Sequence, residues 1–222
     1  MSEHVVKILE AEFITHNVKR FVLEKPPGYT YTSGQATDIS VNQPEWKNEL
    51  RPFTFTSLVE WDYLEFMIKI YPERNSVTNQ LGKTNAGAEL ILHDVFGAIH
   101  YKGPGVFIAG GAGITPFMSI FRNLEKQKQL AGNKLLYSNR TSDDVIMEKE
   151  LQKMLDKDFI KVFTREHVIG FLGNRIDRDF LVNTIGDFSG HFYLCGPDGF
   201  VNDIKALLVE LGADAEALIF EE

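Results

Sequence analysis

Residues 106–121, VFIAGGAGITPFMSIF, constrain the fold of this chain more than any other stretch. Val106, Phe107, Ile108 and Ala109 form a short apolar run of the kind that a strand buried on both faces of a parallel sheet requires. Gly110, Gly111 and Gly113 then remove side chains and free the backbone, so that a ligand can approach the main chain. Thr115 is placed to cap a helix whose first residue is Pro116, where a missing N–H costs nothing, and Phe117, Ile120, Phe121 and Leu124 follow at helical spacing. Amides at a helix start beside a glycine turn suit a diphosphate. The same turn could serve packing alone, and Pro116 stands where the ordinary dinucleotide fingerprint has its third glycine.

Composition narrows the classes. A chain of 222 residues fits one large domain or two small ones. No apolar run is long enough to span a membrane, and the first residues lack the basic and apolar blocks of a signal peptide, so the expected location is cytoplasmic. The single cysteine, Cys195, excludes an internal disulfide and a cysteine-bound iron–sulfur cluster within the chain. Six histidines show no ligand spacing, so no metal site is expected, and a net charge of -8 argues against a nucleic-acid partner.

Up to about residue 99 the chain alternates short apolar runs with turn residues, which predicts an antiparallel sandwich or barrel. Strands are expected at residues 5–9, 18–23, 36–41, 51–57, 64–71 and 89–94, with loops at 25–35 and 42–50 and a turn at 94–97. In RPFTFTS, residues 51–57, Phe53 and Phe55 share one face and Thr54 and Thr56 the other, beside an arginine able to hold a phosphate in two hydrogen bonds. A half-buried edge strand with a solvated arginine explains that run equally well. Ser76 or Thr78 caps a short helix that Gly82 should end, a second possible anion site. Residues 101–105 form the best linker.

Beyond that linker, strands and helices alternate, which implies a parallel sheet with ligands at the carboxyl ends of its strands. Strands are expected at 134–137, 159–163, 191–194 and 217–220, and helices to about residue 130, then at 144–155, 177–184 and 200–211. Two strands end in Arg140 and Arg165, where an acidic residue would bind the ribose of NAD. Arginines there suit the extra phosphate of NADP, or are simply solvated at loop starts.

Three motifs in order, RPFTFTS, GGAGITP and CGPDGF, resemble the ferredoxin-NADP reductase family of flavoproteins across nearly the whole chain. The resemblance implies a two-domain protein, with an antiparallel flavin-binding β-barrel at residues 1–101 followed by an α/β parallel-sheet nucleotide-binding domain at 102–222. It implies that Arg51 pairs with the flavin diphosphate, that Pro52 and Phe53 lie against the cofactor, that Thr54 reaches flavin N5, and that Thr56 and Ser57 complete the motif. The family usually has tyrosine at Phe53, so one hydroxyl contact is lost. Lys69, Ile70 and Tyr71 align with the strand passing the diphosphate, and Val77, Thr78 and Asn79 with the phosphate-holding helix start, which favours FAD over FMN.

In the second domain the resemblance assigns Gly111, Gly113, Thr115 and Pro116 to the nicotinamide nucleotide loop and Cys195, Gly196 and Pro197 to the turn beneath the nicotinamide. Cys195 shapes that pocket without acting as a nucleophile. Thr164, Arg165, Glu166 and then Gly173, Asn174, Arg175, Ile176 resemble NADPH-using bacterial members, so NADPH is expected over NADH, with Arg140, Arg165 and Arg175 at the 2′-phosphate. Many members end in an aromatic stacked on the flavin; here Phe220 either does so or is only the last strand residue, followed by Glu221 and Glu222.

The expected function is an FAD-dependent reductase that passes hydride from NAD(P)H to flavin N5 and electrons to a separate flavodoxin or ferredoxin, acting as a monomer. A reductase of free flavin, an electron-transfer subunit of a larger assembly and a nucleotide-binding regulator without catalysis are the alternatives.

Overall fold

The structure, a computed structural model, describes residues 3–166 and 175–220. The chain divides into two compact units, Met1–His100 together with Thr115–Asn123, and Tyr101–Ile114 together with Leu124–Glu222.

The first unit is a nearly closed six-stranded antiparallel barrel. Its strands are β1 (His4–Phe13), β2 (Val18–Glu24), β3 (Ala36–Val41), β4 (Arg51–Thr54), β5 (Tyr63–Lys69) and β6 (Glu89–Phe96), in the order β4-β3-β6-β1-β2-β5. Alternate residues such as Val6, Ile8, Phe21, Leu23, Ile39, Val41, Leu90 and Leu92 fill its interior. The expected turn at residues 94–97 gives way to strand, because β3 continues to pair with β6 as far as Ala36 opposite Phe96.

The expected strand at 51–57 stops at Thr54, because the chain there leaves β3 to meet β5. Thr56 N–H donates to Glu65 O at 2.9 Å, and Glu65 N–H donates to Ser57 Oγ at 2.9 Å. Backbone and hydroxyl together thus seal the seam between the two edge strands, β4 and β5.

Helix α1 (Val77–Lys83) is capped by Ser76, whose side chain accepts from Asn79 N–H. Gly82 lies inside this helix instead of ending it. A Cβ at Gly82 would come within 2.7 Å of Ile70 Cγ2, so the missing side chain lets the helix sit against the end of β5.

The second unit carries a five-stranded parallel sheet, β7 (Gly105–Gly110), β8 (Lys134–Asn139), β9 (Phe159–Phe163), β10 (His191–Cys195) and β11 (Leu218–Phe220), in the order β11-β10-β7-β8-β9. The chain passes outward from β7 through β8 to β9 and then returns to the other side of β7 with β10. The switch point lies between β7 and β10, whose ends are paired at Ala109 and Cys195. Ile108, Leu136, Val162, Phe192 and Leu194 pack on one face against α4 (Arg178–Ile185) and α5 (Asp198–Glu210), through Phe180, Leu181, Val201, Ile204 and Leu208.

Helix α2 (Thr115–Gln127) starts after a 3-10 turn at Gly111–Ile114. Its cap residue is Ile114, in helical conformation and without a side-chain cap bond. Thr115 is therefore the first helical residue and Pro116 the second, one place later than the sequence suggests, because the 3-10 turn runs straight into the helix. The helix ends at Gln127, with Lys128 left-handed (φ 59°), three residues before its expected end. The helix expected at 144–155 is interrupted. Asp144 closes a capping box on Thr141, Met147 turns left-handed, and only Glu148–Leu155 forms α3. Among the described residues no helix is long and apolar enough to cross a membrane.

Candidate functional site

In the barrel unit, β4 carries the arginine and the aromatic of the flavin-like motif on its exposed rim. Arg51 and Pro52 are exposed, and Phe53 and Thr54 are half-buried. Among the described residues Arg51 donates only to the neighbouring carbonyl of Leu50, at 2.6 Å, and the residue is exposed.

The hydroxyls of the motif divide sharply. Thr56 Oγ1 donates to Glu65 Oε1 at 2.8 Å, and Ser57 Oγ both accepts from Glu65 N–H and pairs with Tyr31 at 2.7 Å. Thr54, by contrast, makes no side-chain hydrogen bond among the described residues. A half-buried hydroxyl without a partner is costly unless a ligand or water supplies one. Ser57 is fully buried and works inside the barrel, so it supports the motif from beneath.

The other expected flavin residues form one patch. Ile70 lies under Gly82 of α1, Arg74 covers the Tyr71 ring at 4.7 Å, and Asn79 Nδ2 donates to Arg74 O at 2.9 Å. Lys69 and Tyr71 are half-buried beside them, with Val77 buried and Thr78 half-buried at the helix start. Thr78 Oγ1 is bonded to Ser76 Oγ at 3.0 Å. With Asn79 N–H held by Ser76, the amides of Val77 and Thr78 are the donors that a phosphate could use at the start of α1.

Two residues that sequence reasoning missed hold this region in place. Glu65, 2% exposed, is gripped by Arg122 Nη1 at 2.6 Å and Arg20 Nε at 2.7 Å. Arg122, itself 8% exposed, also donates to Thr56 O at 2.8 Å and lies over the Trp61 ring. Burial alone would raise the Glu65 carboxyl, but the charge and hydrogen bonds of Arg122, with those of Arg20 and Thr56, outweigh it and hold the group below its ordinary range. The signal was a charge inside an apolar pattern, Glu65 in YLEFMIK and Arg122 in MSIFRNL.

In the second unit the glycine turn and CGPDGF meet at the switch point. A Cβ on Gly113 would run into the carbonyl of Cys195, and one on Gly110 would crowd Phe200 and Pro197. These two glycines let the turns touch. Gly111 differs: its φ is +55°, and nothing lies within 4 Å of where its side chain would be, so this turn presents bare backbone to open space. Cys195 and Gly196 are half-buried and Pro197 is exposed. A dinucleotide fits such a cradle.

The ends of β8 and β9 are joined by Arg165 N–H donating to Arg140 O at 2.9 Å, and both arginine side chains are exposed. Glu166, the residue after Arg165, takes the Ser142 N–H at 2.6 Å and the Ser142 hydroxyl at 3.2 Å. A carboxylate is thus already seated on the Ser142 donors next to these arginines in the chain. Arg175 is exposed, while Gly173 and Asn174 lie outside the described residues, as do Glu221 and Glu222. Phe220 ends β11 opposite Leu194, with Lys205 Nζ 3.8 Å from its ring centroid.

The comparisons agree with this geometry. A family model described as an FAD-binding domain matches residues 3–115, and one described as an oxidoreductase NAD-binding domain matches residues 107–206. The NADH-cytochrome b5 reductase 2-A of Vanderwaltozyma polyspora is 29% identical, over 88% of this chain and 71% of its own. The anthranilate 1,2-dioxygenase electron transfer component of Acinetobacter baylyi is 27% identical, over 72% of this chain and 48% of its own. A ferredoxin NADP+ reductase from Neisseria gonorrhoeae, solved with bound FAD and NADP, shares the fold with a TM-score of 0.88 at 19% identity, covering 100% of this chain and 98% of that one. With an FAD-binding barrel, an NAD-binding parallel sheet and the three motifs at their strand ends, the chain belongs to the ferredoxin-NADP reductase family of flavoprotein oxidoreductases.

Proposed function

We propose that this chain oxidises NADH with bound FAD and hands the electrons to a separate one-electron carrier protein. The observation that carries the reading is the unpartnered Thr54 hydroxyl on the rim of β4, beside Thr56 and Ser57 hydroxyls that are both engaged inside the barrel. FAD, when bound, supplies the change from two-electron to one-electron chemistry. The residues supply position. Thr54 would orient the flavin at N5, Phe53 would pack against its ring, and Arg51 with the first amides of α1 at Val77 and Thr78 would balance the diphosphate charge, Asn79 N–H being held by the Ser76 cap. Lys69, Ile70 and Tyr71 line the same patch. Gly111, Gly113, Thr115 and Pro116 receive the dinucleotide, and Cys195, Gly196 and Pro197 shape the nicotinamide end.

Arg140, Arg165 and Arg175 would suit a 2′-phosphate, but Glu166 on Ser142 opposes one and offers a carboxylate to ribose hydroxyls. This favours NADH over NADPH. The names of the b5 reductase relatives point the same way and favour a haem protein of cytochrome b5 type as acceptor over flavodoxin or ferredoxin.

The test is an absorption spectrum of the purified protein, then anaerobic reduction by NADH and NADPH in separate cells. Bound FAD and faster bleaching by NADH are expected; a protein that takes up no FAD ends the reading. Thr54→Ala should keep FAD and slow its reduction about tenfold, the worth of one lost hydrogen bond. Glu166→Gln should narrow the gap between NADH and NADPH. Turnover of free riboflavin in preference to any protein acceptor would move the assignment to a flavin reductase.

A further inference from the structure

The carbonyl of Gly111 is taken by a side chain from another strand. Tyr137, on β8, lies beside the end of β7, paired with Ala109, and its ring is fully buried. From there its hydroxyl donates to Gly111 O at 2.9 Å and itself accepts from Ile146 N–H at 3.5 Å. Gly111 is left-handed, so the chain has already left the sheet ladder at this point. Tyr137 supplies a hydrogen bond to a carbonyl that has turned away from that ladder.

The consequence comes from peptide geometry. A trans peptide is planar, and its C=O and N–H point in opposite directions. Holding Gly111 C=O on the Tyr137 hydroxyl therefore fixes the direction of the Ala112 N–H, which lies in the same plane and points the opposite way. We infer that Tyr137 is a positioning residue for the dinucleotide: its hydroxyl sets the tilt of the Gly111–Ala112 peptide and so the affinity of the glycine turn for the diphosphate. Burial pushes the phenol well above its ordinary range, so it remains a donor at any working pH. Its ring has a separate task, stacking on Phe159 with centroids 6.4 Å apart. The two tasks can be removed one at a time.

The inference rests on the glycine turn being the dinucleotide site, and the experiment separates the two. Tyr137→Phe, in the FAD-loaded full chain, deletes only the hydroxyl. KM for NADH and Kd for NAD+ should each rise roughly fivefold, with kcat at saturating NADH within about twofold of the parent and the flavin spectrum unchanged. Phe159→Leu keeps the hydroxyl and loosens the ring; it should lower the melting temperature and leave KM in place. Unchanged KM and Kd in Tyr137→Phe overturn the inference. So does a rise of equal size in Phe159→Leu, which would mark a packing effect. A parent protein that binds no dinucleotide would instead overturn the reading of the turn.

Discussion

The two candidate ligand edges of this protein are held by opposite means. On the barrel, the strand end after Thr54 is fastened by charge: Glu65 sits between Arg122 and Arg20, and Arg122 reaches the carbonyl of Thr56. On the parallel sheet, the turn after β7 is fastened by absence, since Gly110 and Gly113 permit contact that any side chain would block, and a single hydroxyl steadies Gly111. The barrel must hold a seam that no ordinary ladder completes, so it uses strong, directional ionic bonds. The sheet has a complete ladder and needs only space at its switch point. One edge should therefore fail by losing a partner, and the other by gaining an atom.

The largest effect expected is from Arg122→Met. It leaves Glu65 buried with Arg20 as its remaining arginine, and removal of one partner from a buried pair costs about 3–5 kcal/mol. Urea unfolding should show this, with a lowered FAD affinity because Thr56 loses its clamp. A loss below about 1 kcal/mol would mean that the seam does not depend on charge.

Gly113→Ala comes next. The added Cβ meets the Cys195 carbonyl, and overpacking of this kind costs roughly 1–3 kcal/mol. Dinucleotide binding should weaken while the flavin spectrum stays unchanged. If FAD is lost as well, the two edges do not act independently.

The smallest effect is in acid. The Glu65 carboxyl titrates below its unfolded value of about 4.3, so its contribution is fully present above that pH and is lost as pH falls through the lower folded value, at about 1.4 kcal/mol for each unit of depression. Stability measured from pH 7 to pH 3 should therefore fall more steeply in the parent than in Glu65→Gln. Parallel curves would show that the arginines do not depress Glu65.

Much of this was readable from the chain alone. Strand β3 and strand β9 were placed at their observed limits by apolar patterning, and the glycine turn announced a strand-to-helix junction. The errors were local and have physical causes. Propensity marks Gly82 as a helix end, yet it is helical, and glycine is needed there because Ile70 leaves no room for a side chain. The residue type of Thr115 favours a cap, but the preceding 3-10 turn moves the cap to Ile114. Ser57 was grouped with Thr54 by motif, and the structure separates them by burial and hydrogen bonding.

By itself the sequence determined the two-domain architecture, the family and the positions of both glycine turns, because periodicity, small residues and motif order are local properties of a chain. Only the tertiary structure decided which hydroxyl of the motif has no partner, what holds Glu65 and Arg122 in the interior, and that Glu166 rests on Ser142 while Tyr137 holds Gly111. These are pairings between residues distant along the chain. Their energies depend on burial and on angstrom-scale approach, which no local pattern encodes.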